Sequence, residues 1–123
     1  MATVSVRYIV DDVDAAIELL LGHVAEVVVD SIFSRCIPAM IEGAERDPRV
    51  REFFYAYSAE RRRVLIDLIR RGIDDGEFDA GLDPELATAA MLGTIFYRRL
   101  MTAEPFDPAA AGELVDLVLA PRR

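Results

Sequence analysis

Few residues in this 123-residue sequence have chemistry to offer, and the most unusual of them is Arg61. At about 100° per residue it falls between Tyr57, Val64, Leu65 and Leu68, near the middle of an otherwise apolar helical stripe. Two readings fit an arginine where a leucine is expected. Its methylene stem can cover core atoms while the guanidinium reaches solvent or an acid, or the guanidinium can anchor an anionic or polar ligand group. In the second reading Met40, Phe53, Phe54, Tyr57, Met91 and Phe96 surround Arg61 as a ligand-binding pocket, although aromatics and methionines at helical spacing also serve as plain core.

The other reactive groups lack the partners that catalysis requires. His23 is the single histidine and sits off the apolar stripe of its helix, so it reads as an exposed or edge residue with no metal-spaced companion. Ser31, Ser34 and Ser58 have no nucleophile context, and there is no Gly-rich phosphate loop. The pairs Asp11-Asp12 and Asp74-Asp75 lie at expected helix ends, where capping and solvation account for them. Cys36, the single cysteine, permits no internal disulfide; a buried structural thiol is its commoner reading and a reactive one its alternative. The sequence points away from an enzyme and implies no cofactor and no metal.

The elements that must position these residues are helices. Three Asp-Pro steps, Asp47-Pro48, Asp83-Pro84 and Asp107-Pro108, mark helix starts, because the aspartate accepts from free amides and proline tolerates the first helical position. An earlier helix begins after Asp11 or Asp12, with Val13, Ile17, Leu20, Leu21, Val24, Val28 and Ile32 as one inward stripe. Pro38 predicts a break or kink between Ser34 and Ile37, followed by a short helix to about Glu45. The helix from Pro48 runs to about Asp75, with Val50, Phe53, Phe54, Tyr57, Val64, Leu65 and Leu68 facing inward and Gly76 in a left-handed closing position. Phe78 and Leu82 pin the next loop to the core. Ahead of all this, Thr3 to Val10 has the valine, tyrosine and isoleucine density of a short strand. Residues 1–12 thus read as an extension and 13–120 as a single all-α domain of about five helices.

Between Leu86 and Tyr97, and again between Leu114 and Leu119, apolar residues cover nearly every direction of the helical wheel. Such helices need cover on both sides, and a chain of this length has little protein left for the second side. A second copy is the economical cover, with Leu86, Ala89, Leu92, Gly93, Tyr97, Leu114, Val115 and Val118 at a homodimer interface.

Fourteen arginines and no lysines stand against 22 acids, for a net charge of −8. That field repels phosphate backbones, so direct nucleic-acid contact by this chain is not expected. The longest apolar tract, Leu19 to Val29, contains His23 and Glu26 and is too short and polar for a membrane span. With no visible signal peptide, the expected location is the cytoplasm.

The run Phe96-Tyr97-Arg98-Arg99-Leu100-Met101-Thr102-Ala103-Glu104-Pro105-Phe106-Asp107-Pro108, followed by Glu113 to Val118, resembles the end of the C-terminal domain of TetR-type transcriptional repressors. The likeness extends back through Gly76-Glu77-Phe78 and Arg61-Arg62-Arg63 to about Ile37, as an order of apolar and turn positions. The resemblance implies an all-α regulatory domain whose last two helices pair across a two-fold axis, with an inducer pocket among the helices before them. It also implies that the helix-turn-helix unit of such repressors has no counterpart in the residues given. The alternative is a small metal-dependent lyase or dioxygenase: Val6 to Ile17 resembles the opening strand and helix of vicinal-oxygen-chelate proteins, although no repeated βαβββ pattern continues it.

Overall fold

A computed structural model describes residues 12–120, which form five α-helices and no strand. Helix α1 spans Val13–Val29, α2 Ile32–Arg46, α3 Pro48–Asp74, α4 Pro84–Met101 and α5 Ala111–Leu119, the last entered through a 3-10 turn at Pro108–Ala110. The strand expected at Thr3 to Val10 lies outside the described residues. From Val13 onward every regular element is a helix, so the vicinal-oxygen-chelate alternative finds no βαβββ unit among the described residues.

Aspartates start four of the elements. Asp12 Oδ1 accepts from the Asp14 amide at 3.0 Å, Asp47 from Arg49 at 2.9 Å, Asp83 from Glu85 at 3.0 Å, and Asp107 from Ala109 at 2.9 Å. Each satisfies an amide that the helix cannot satisfy itself. Helix α3 closes on Gly76 at φ 81°, a conformation that a Cβ would strain, and the amides of Glu77 and Phe78 then reach back to the Gly72 carbonyl. Phe78 folds onto Gly72 so closely that a Cβ there would lie 2.2 Å from the ring. Phe78 is buried and Leu82 packs against the core, so this loop is pinned as its two apolar side chains predict.

The first break differs from expectation. Helix α1 ends at Val29, not between Ser34 and Ile37, because Asp30 and Ser31 are extended and Ser31 caps the next helix by accepting from the Ser34 amide at 3.0 Å. Pro38 lies inside α2 instead of ending it. A proline removes one backbone donor, and here the carbonyl left over, that of Ser34, accepts from Arg99 instead.

One core joins α1, the second half of α3, α4 and α5. Val13, Ile17, Leu21 and Val28 of α1 meet Leu65 and Ile69 of α3, Met91 and Ile95 of α4, and Leu114, Val115 and Leu119 of α5. The stripe expected on α3 is buried only from Leu65 onward. Val50, Phe53, Tyr57 and Val64 are exposed, on a side of α3 that no described helix covers. Ile32, assigned to the inward stripe of the first helix, is exposed as well, because it belongs to α2.

Candidate functional site

The outer side of α4 carries an apolar stripe. Leu86, Ala89, Gly93 and Tyr97 recur at three- and four-residue spacing and are all exposed, Leu86 at 68% and Tyr97 at 62%. On the opposite side of the same helix Ala87, Met91 and Ile95 fill the core. Leu92 lies between, half-buried and packed against the core edge.

Helix α5 divides differently from expectation. Leu114 and Val115 are 5% and 0% exposed, so their side chains belong to the chain's own core and are not available as interface contacts; Val118 is half-buried. Leu117, absent from the expected interface, is 80% exposed. An all-apolar helix does not reveal which side faces out, but Glu113 did mark it: one turn later, Leu117 shares its side.

Of the seven residues expected around a ligand, Phe53, Tyr57 and Arg61 come together, and the seven do not form one enclosed pocket. Met91 is fully buried in the core and Phe96 packs half-buried beside it, while Met40 is half-buried on α2. Phe53 (72% exposed), Tyr57 and Arg61 lie on the outer side of α3, with Phe54 half-buried next to them. Arg61 is therefore not enclosed by apolar side chains. Its guanidinium sits 4.9 Å above the Tyr57 ring, and the Phe53 and Tyr57 rings stack 6.3 Å apart, so the charge keeps its water while the ring faces it.

Among the described residues, two open grooves stand out. One runs between α1 and the 3-10 turn, bordered by Glu18, Leu19, His23, Glu26, Pro108 and Ala109. His23 is exposed there, as its place off the α1 stripe predicts. The other is shallow, formed by Asp47, Arg49, Val50 and Phe53 at the start of α3. Of the expected ligand residues, only Phe53 borders either groove. Cys36, read first as a buried structural thiol, is exposed, because α2 has no element over that side.

Three polar features have distinct physical causes. Burial, a hydrogen bond with Asp12 and the charges of Asp12, Asp14 and Asp75 raise the Glu77 carboxyl above the usual glutamate range. At the start of α3, hydrogen bonds from the Arg49 backbone and side chain lower the Asp47 carboxyl. Thr88, fully buried in α4, has a hydroxyl with no hydrogen-bond partner among the described residues. No group of three or more histidine, cysteine or acidic side chains among the described residues is placed to hold a metal ion, and no described helix is long and apolar enough to cross a membrane.

Five helices with a shared core and an outward apolar stripe on the penultimate one make an all-α helical bundle. Residues 11–118 match the tetracyclin repressor-like, C-terminal domain family, and the chain belongs to it. Neither a curated protein nor a solved structure gives a significant match.

Proposed function

We propose that this domain dimerises and senses a small molecule on behalf of a TetR-type transcriptional regulator. The observation that carries the reading, beside family membership, is the stripe of Leu86, Ala89, Gly93 and Tyr97 on α4, with Leu117 exposed on α5. Large apolar side chains at helical spacing, more than half exposed, favour a partner surface of the same kind, and a two-fold axis lets one stripe cover its own copy. Small Ala89 and Gly93 between the larger residues let two helices approach closely. Leu92 and Val118 flank the contact, and Leu114 and Val115 support it from beneath.

Light scattering should report twice the 13.7 kDa chain mass at micromolar concentration. Tyr97→Glu combined with Leu117→Glu should lower the mass toward one chain, since an unpaired charge in an apolar interface costs several kcal/mol. A monomeric parent protein would defeat the dimer reading.

The sensing role is proposed for the outer side of α3, where Arg61, Tyr57 and Phe53 offer a cation beside two aromatic rings. That chemistry suits an aromatic or fatty carboxylate. A thermal-shift screen of such carboxylates should raise the melting temperature through binding to the folded state, and Arg61→Met should abolish the shift. Binding that survives Arg61→Met would place the ligand elsewhere.

A further inference from the structure

Pro38 lies in an interior turn of α2, so its nitrogen has no hydrogen to give the Ser34 carbonyl. Arg99, near the end of α4 and 65 residues away, supplies what is missing. Its Nη2 donates to the Ser34 carbonyl and its Nε to the Ser34 hydroxyl, each at 2.9 Å. The fork of one guanidinium thus grips both acceptors of a residue that is only 3% exposed. Helices α2 and α4 are not among the pairs whose backbones run alongside one another, so the length of the arginine side chain is what spans them. Ile37, three residues after Ser34 in α2, is 2% exposed; ahead of Ser34, Asp30 and Ser31 form a two-residue extended link to α1.

We infer that Pro38, Ser34 and Arg99 form a latch: the proline keeps one helix carbonyl open, and Arg99 closes on it to hold the first turns of α2 against the end of α4. With the latch shut, Ile37 is covered and α2 is fixed in angle. With it open, the Asp30–Ser31 link lets the start of α2 lift away while the core of α1, α3 and α4 stays packed. The inference is independent of the proposed dimer and ligand. A plain core contact would behave otherwise, because its loss would weaken the whole fold at once.

Hydrogen exchange of the full chain followed by mass spectrometry tests this, since it reads local opening apart from global unfolding. Arg99→Met should speed exchange across residues 32–41 by about tenfold or more, as expected for losing charge-assisted hydrogen bonds, and leave residues 65–69 unchanged. Pro38→Ala restores an amide that can donate to the Ser34 carbonyl, so in that background the same Arg99 substitution should have a much smaller effect. Three results would overturn the latch: unchanged exchange in α2, an equal rise in both backgrounds, or an equal rise in α2 and in residues 65–69. Should Arg99→Met alone fail to fold, Arg99→Lys keeps the charge without the forked donors. A selective rise in α2 exchange with Arg99→Lys then supports the latch, and no rise overturns it.

Discussion

The two halves of α3 have similar apolar patterns and opposite fates. From Leu65 to Gly72 the helix buries Leu65, Ile66, Ile69 and Gly72, whereas between Glu45 and Val64 no residue is buried at all. The second half packs into the core with α1 and α4; the first runs beside α2. Amphipathic spacing therefore records which residues can share a face, and the supply of neighbours decides whether that face is covered. The half that projects carries Phe53, Tyr57 and Arg61, so the side chains with most to offer a ligand lie in the least consolidated part of the domain.

The largest effect should separate these halves directly. Ile69→Ala empties a fully buried site and should cost about 2–5 kcal/mol of unfolding free energy in a denaturant titration. A loss below about 1 kcal/mol would mean that the body repacks as freely as the projecting half. Thr88→Val replaces a buried hydroxyl that lacks a partner with a methyl of similar shape, and should be neutral or stabilising by up to about 1 kcal/mol. A clear loss of stability would show the hydroxyl to be engaged.

On the projecting half, Phe53→Ser should change stability by no more than about 0.5 kcal/mol, as surface substitutions do. A larger, concentration-dependent loss would show that the outer side of α3 is covered by another chain. The smallest effect concerns Glu77, whose carboxyl is raised by burial and by Asp12. A raised folded-state pKa contributes stability that is full below the usual glutamate range and is lost as pH rises through the raised value. Glu77→Gln should leave acid stability unchanged, raise the melting temperature at neutral pH and flatten the slope between. A variant with the parent's pH dependence would remove Glu77 as its source.

What could be read from the residue order was mostly local. The aspartate caps at Asp47, Asp83 and Asp107, the closing Gly76 and the loop anchors Phe78 and Leu82 depend on neighbours a few positions away, and the spacing of one segment contains them. Ser31 was missed as a cap, although serine is a favoured residue just ahead of a helix, because Pro38 suggested a break further on. The candidate site was less accessible. The outward stripe of α4 follows from its pattern, whereas the exposure of Leu117 and the burial of Leu114 and Val115 depend on how α5 is rotated against α1.

By itself, then, the sequence determined the helix starts, the all-α class and the family, because capping, turn chemistry and apolar periodicity act within a few residues. The tertiary structure alone decided that Pro38 stays inside a helix, that Arg61 faces water over Tyr57, and that half of α3 projects from the core. The physical reason is common to all three. Each outcome depends on a group supplied, or withheld, by a distant element: a donor from Arg99 to the Ser34 carbonyl, and no neighbouring helix over Phe53, Tyr57 and Arg61. Spacing along one helix carries no record of what stands opposite it.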